Sequence, residues 1–79
     1  MFDTKLKYIR LKNYDEIIIF HSIIEHSRFK HFNPISAGFC YIGDNKVNCF
    51  GESISLKIKS MDDDTEIATK QVFGFDAKS

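Results

Sequence analysis

The sequence predicts a small α+β domain: a mainly antiparallel sheet of about five strands with two short helices, in the order β-β-α-β-β-β-α. Three observations lead there. Short apolar stretches, alternating or wholly apolar, recur between turn signals. Two segments, "SIIE" and "SMDDDTEIATKQVFG", carry helix-boundary signals. And 79 residues are too few to divide into two cores, so residues 1–79 form a single domain. A hydrophobic content of 43% with eight phenylalanines supplies a core and removes the signature of disorder. The margin of so small a core also favours a homodimer, since pairing buries more apolar area.

The first strand is "KLKYIRL", with Leu6 and Tyr8 on one face and Ile9 and Leu11 drifting to the other. After the polar "KNYD" comes "EIIIF", apolar on both faces, which predicts an interior strand paired with the first as a hairpin. Ser22 to Glu25 reads as a capping box, so a helix is expected from about Ile23 to His31, ending before Asn33-Pro34. The same residues could instead prolong the strand.

From Ser36 to Gly51 the pattern is a hairpin around Gly43-Asp44-Asn45-Lys46, because Asp and Asn tolerate the positive φ of a two-residue turn. "ESISLKIKS" alternates strictly, Ile54, Leu56 and Ile58 against Ser53, Ser55, Lys57 and Lys59, and is expected to be one strand entered by a bend or bulge at Gly51. The last helix has acidic residues gathered at its start, Ile67, Ala68 and Val72 at helical spacing, and Gly74 as its C-cap.

The hairpin decides what the only two cysteines can do. With Asp44-Asn45 as the loop, Ile42 opposes Val47, Tyr41 opposes Asn48, and Cys40 faces Cys49 at a non-hydrogen-bonded position where side chains approach most closely. A disulfide is geometrically open to them, and a redox-switchable pair and a metal site are the alternatives. In a reducing cytoplasm the expectation is two core thiols sharing a face with Ile42 and Val47. A three-residue loop would instead place Cys40 opposite Asn48.

Zinc would need both sulfurs and two of His21, His26 and His31. The cysteines lack the short knuckle spacing, and histidines five apart point about 140° from one another on a helix. "MDDDTE" lacks calcium-loop spacing and reads as helix-start charge. No nucleophile, base and orienting group share a local signature, and there is no phosphate-cradling glycine loop. No catalytic residue, metal or cofactor is expected, and the protein is not read as an enzyme.

Eleven basic residues balance eleven acidic ones, which removes the global electrostatic argument for nucleic acid. The nucleic-acid alternative rests on Lys5, Lys7, Arg10 and Lys12 along the first strand and Arg28, Lys30 and His31 on the first helix, with Tyr8, Phe29 and Phe32 interleaved to stack bases. Against it, Phe29 and Phe32 can be core and the lysines a solvated face. The start of the chain has no apolar leader core, and no window approaches the about 18 apolar residues of a membrane span, so a cytoplasmic protein without membrane partners is expected.

"FNPISAGFC" followed by "CFGESISLKIKSMDDDTEIATKQVFG" resembles short uncharacterised proteins of bacteria and their phages or mobile elements, over much of residues 16 to 74. The resemblance implies a bacterial or phage-encoded setting and no activity. The sequence thus points to a small non-enzymatic interaction or regulatory module that binds another protein or itself, with a nucleic-acid-binding module as its rival.

Overall fold

The computed structural model describes residues 5–11 and 16–74. Along them run β1 (Leu6–Arg10), β2 (Ile17–Phe20), a 3₁₀ helix (His26–Phe32), β3 (Ser36–Gly43), β4 (Lys46–Phe50), β5 (Glu52–Ser53), β6 (Ile58–Lys59) and α1 (Asp64–Phe73). β1 to β4 form one antiparallel sheet in the order β2-β1-β3-β4, and β5 pairs with β6. This is the α+β architecture that the sequence predicts.

Period-two alternation divides the core between the two faces of the sheet. Tyr8, Ile17, Cys40 and Val47 pack with Ala68 of α1, and Leu6 and Ile42 lean on the same cluster. Ile9, Phe20 and Ala37 look the other way, covered by Phe29 of the 3₁₀ helix and by Leu56 and Ile58 of the β5–β6 segment. The β3–β4 turn has Asp44 at φ 45° and Asn45 at φ 63°, the pair of positive φ values that matches strand twist, and Cys40 stands directly opposite Cys49.

Three local expectations are corrected. "EIIIF" is an edge strand, not an interior one. It is apolar on both faces because α1 covers one side of the sheet and the 3₁₀ helix the other. Its neighbour in sequence, residues 12–15, lies outside the described residues, and Lys12 with it.

The helix expected from Ile23 is a 3₁₀ helix that begins only at His26, and the Ser22–Glu25 capping box does not form. The His21 ring accepts the Ile23 N–H at 3.0 Å, and the Ile24 N–H bonds the His21 carbonyl, so this stretch closes as a turn. The following residues are then pinned inward at His26 and Phe29, the latter with its ring 4.5 Å from that of Phe20. Asn33, left-handed at φ 53°, stops the helix one residue before Pro34, as expected.

"ESISLKIKS" is not one strand. The buried Ser53 hydroxyl accepts the Leu56 N–H at 3.3 Å, the Lys57 N–H bonds the Ser53 carbonyl at 2.9 Å, and Lys57 turns to φ 60°. A serine that bonds its own downstream backbone offers the chain a turn in place of a ladder. The alternation is therefore broken, with Ile54 thrown out to 85% exposure while Leu56 and Ile58 stay packed.

α1 forms as expected, ending at Gly74, which is left-handed at φ 79° and donates to the Lys70 carbonyl. The helix also closes both edges of the main sheet. Thr65 and Thr69, one turn apart, accept the outward N–H groups of Cys49 at 2.8 Å and Val47 at 2.9 Å on β4. On β2 the Gln71 side-chain amide accepts the Ile17 N–H at 2.7 Å and donates to the Ile17 carbonyl, as a neighbouring strand would. Thr69→Val keeps the shape and strands the N–H of the fully buried Val47, so a loss of about 1–3 kcal/mol is expected in urea unfolding. A loss no larger than that of an ordinary surface change would show that the hydroxyl does not hold this edge.

Candidate interaction face

The 3₁₀ helix and the β5–β6 segment cover the half of their sheet face around Ile9, Phe20 and Ala37. The half toward the β3–β4 turn carries aromatic side chains that reach solvent. In one row across the strands lie Lys7 on β1, Phe39 on β3 and Phe50 on β4; the next row toward the turn holds Tyr41 and Asn48. Phe39 and Phe50 have ring centroids 6.1 Å apart, and Tyr41 stacks on Phe50 at 5.5 Å with planes 13° apart. Tyr41 and Phe50 are each 38% exposed. Lys5 places its ammonium 4.5 Å from the Phe39 ring centre, a cation–π contact.

Phe39 and Phe50 floor a hollow whose rim is charged with both signs, with Tyr41 standing just outside it on Phe50. Lys5 and Lys7 contribute cations, Glu25 and Glu52 contribute carboxylates, and Ile54 overhangs one side. Lys7 is steadied by a bond from its ammonium to the Ile24 carbonyl at 3.0 Å, which leaves two further N–H donors free to act. Gly51, at φ 79°, turns the chain from β4 into the wall bearing Glu52; a side chain there would crowd the Phe39 ring, 3.0 Å away.

His26 closes the inner end. Its Nε2 donates to the Gly38 carbonyl at 2.8 Å, and its ring meets Phe39 and Phe20 edge-on. Burial lowers its pKa below the usual 6.5, more than the Gly38 bond can offset, with nearby Lys7 acting in the same direction as burial. The unfolded chain therefore takes up this proton more readily than the folded one. Stability from neutral His26 is full above the unfolded value and falls as pH drops through it. The expected outcome is an NMR titration midpoint for His26 below 6.5, with a urea midpoint that declines from about pH 7 to about pH 5 and a shallower decline in His26→Gln. A midpoint at or above 6.5 would contradict the buried setting.

The opposite face holds a polar cluster spent on structure. Asp64, fully buried at the start of α1, accepts the Tyr8 hydroxyl, the Ser36 hydroxyl at 3.0 Å, Arg10 at 3.2 Å and the Met61 N–H at 2.8 Å. Arg10 also bonds Asp63 at 2.7 Å, which holds that carboxyl below its ordinary range. Burial, reinforced by the bond to Asp64, pushes the Tyr8 phenol well above its usual value. All of these bonds but the one from Met61 join β1 or β3 to the helix or to the residues just before it, so the cluster fastens α1 to the sheet.

The residues singled out from the sequence are thereby separated. Lys5 and Lys7 line the hollow, whereas Tyr8 and Arg10 are buried on the other face and turned toward Asp64. Arg28 is exposed beside Ile23, Ile24 and Glu25, and Lys30 lies beside Asn33 and Leu56, away from the aromatic row. Phe29 packs on Phe20 as core. Cys40 and Cys49 are free thiols, one buried and one half-buried. Burial pushes them up to about 11 and about 12, so both stay protonated at neutral pH and neither is an activated nucleophile. Among the described residues no three His, Cys, Asp or Glu side chains gather to hold a metal, and no helix is long and apolar enough to cross a membrane.

Sequence reasoning missed Phe39, Tyr41 and Phe50. The signal was present in the register that pairs the cysteines, which also brings Phe39 opposite Phe50 and Tyr41 opposite Asn48 on the reverse face. Compared with family models, curated proteins and solved structures, the chain matches none.

Proposed function

We propose that this chain is a small non-enzymatic interaction module that binds protein through the open aromatic face. The observation that carries the reading is the run Phe39–Phe50–Tyr41, with Tyr41 stacked on Phe50 and both of these rings reaching solvent, beside a rim of mixed charge. Clustered aromatics at the centre with charged groups at the periphery are the anatomy of protein contact surfaces, and such apolar patches cost solubility unless they are used. The sheet edges serve less well, since α1 already occupies the outward backbone of Ile17, Val47 and Cys49.

The test is affinity capture from bacterial lysate with tagged wild type and tagged Tyr41→Ser/Phe50→Ser, with and without nuclease. A defined protein retained through nuclease and lost with the double variant is the expected result. Capture indifferent to the double variant would sink the reading.

A second reading has one observation in its favour: Lys5, Lys7 and, by strand alternation, Lys46 share the aromatic face, the combination that binds single-stranded nucleic acid. It requires enrichment that disappears with nuclease and a labelled oligonucleotide complex that weakens steeply with salt and with Lys7→Glu.

A further inference from the structure

We propose that Cys40 and Cys49 are a modification site, oxidised by a low-molecular-weight disulfide to an intramolecular bond that clamps β3 to β4 and is reversed by small thiols. This goes beyond the interaction-module reading and does not rest on it, because both thiols lie on the α1 side of the sheet, behind the aromatic row. The two residues are direct cross-strand partners, and both thiols are free. On β4 the N–H groups of Val47 and Cys49 turn outward to Thr69 and Thr65, so Cys49 faces Cys40 at a non-hydrogen-bonded position. Partners at such positions stand with Cα atoms about 4.5 Å apart, within the about 4.4–6.8 Å that a disulfide spans, so the bond closes without parting the strands.

The pair is also held in place. The Asp44–Asn45 turn sets the register at one end, the two threonines hold the outer edge of β4, and β1 holds the far side of β3. A slip of one residue would part the thiols and break these contacts together. Exposure sets the order of events, since Cys49 is half-buried and Cys40 fully buried. The Cys49 thiolate attacks one sulfur of the small disulfide, whose S–S bond breaks, and the departing thiolate takes up the proton that Cys49 gave to solvent. Cys40, deprotonated in turn, attacks the Cys49 sulfur and expels the second small thiol. The protein loses two electrons and two protons, and the reagent gains both. Burial keeps both thiols protonated, against a Thr65 hydroxyl that favours the Cys49 thiolate in part, so the folded chain reacts slowly. It ends at the cross-strand bond and not at two capped thiols, because the second thiol already faces the first.

Hydroxyethyl disulfide at mildly alkaline pH is the probe, read by mass spectrometry of the whole chain and by alkylation in urea. Wild type is expected to come to rest over hours at a mass lower by two hydrogens, with no thiol left to alkylate. The oxidised chain is expected to melt about 10 °C higher than the reduced one, and dithiothreitol to restore the original mass and melting point. Cys49→Ser and Cys40→Ser each leave a single thiol, which is expected to end capped or unreacted, with no loss of hydrogens and no rise in melting point. Cys40 is fully buried, so Cys49→Ser, at the half-buried partner, serves alone if the Cys40 variant fails to fold by circular dichroism. Wild type that stays reduced, ends with two caps or links to a second chain overturns the inference. An oxidised chain that melts below the reduced one overturns it too, since the bond would then have distorted the hairpin. None of these outcomes bears on capture through Tyr41 and Phe50, so the two readings fail separately.

Discussion

Asp64→Ala is expected to remove about 3 kcal/mol or more of folding stability. The carboxylate is 0% exposed and receives four donors from three separate places: Tyr8 and Arg10 on β1, Ser36 on β3, and the Met61 backbone ahead of α1. Alanine leaves the Tyr8 and Ser36 hydroxyls buried without this acceptor and takes a fully buried carboxylate from Arg10, whose bond to Asp63 at 2.7 Å is to a side chain half in solvent. Unmade bonds of this kind cost about 1–3 kcal/mol each, before the loss of the partner to a buried cation. Asp64→Asn preserves volume but turns an amide donor toward a ring of donors, so it should recover little. Asp62→Ala, at an exposed position two residues earlier, should stay within about 0.5 kcal/mol. The comparison is made by chemical denaturation at neutral pH. Equal midpoints for the Asp62 and Asp64 variants would show that the cluster does not fasten the helix.

Gly38→Ala is the second. Its backbone φ is ordinary, and the constraint is space: an added Cβ would stand 2.3 Å from the Phe50 carbonyl oxygen and 3.3 Å from the Gly51 backbone. Those atoms belong to the main chain where β4 leaves the sheet, so relief requires β3 and its neighbour to part. Overpacking of this sort costs about 2–3 kcal/mol, which in a domain this size lowers Tm by about 10–20 °C. The strain also reaches His26, whose ring donates to the Gly38 carbonyl. Gly43→Ala is the control, because nothing lies within 4 Å of a Cβ there, and its Tm should move by only a few degrees, about 0.5 kcal/mol or less. A Gly38 variant that melts with the Gly43 variant would mean the close approach is easily relieved.

The parts of this fold legible in the sequence were those decided by local geometry. The Asp44-Asn45 turn fixed the register of β3 and β4, and through it the facing cysteines; Gly74 ended α1 where a left-handed residue was expected. What misled were residues whose role depends on distant partners. Ser53 reads as the polar side of an alternating strand, yet it is 1% exposed and turns the chain. Asp64 reads as one of several acids at a helix start, and nothing local distinguishes it from Asp62, because its donors lie 28 to 56 residues away along the chain, apart from the adjacent Met61. Tyr8 and Arg10 read as a base-stacking ring and a phosphate cation for the same reason. Their true neighbour was out of sight. The aromatic face stood between these cases: its register was readable from the turn, but its exposure depended on how far the β5–β6 segment reaches over the sheet.

The threonine and glutamine contacts of α1 also set an order of events. Both edges of the main sheet remain open templates for any other strand until Thr65, Thr69 and Gln71 arrive, and those residues come after all six strands along the chain. During synthesis the sheet residues therefore emerge with their edge backbone unguarded, and the helix that quiets them is made after them. Self-association by edge pairing competes with folding in that interval, so crowding of nascent chains is a condition that favours aggregation of this protein.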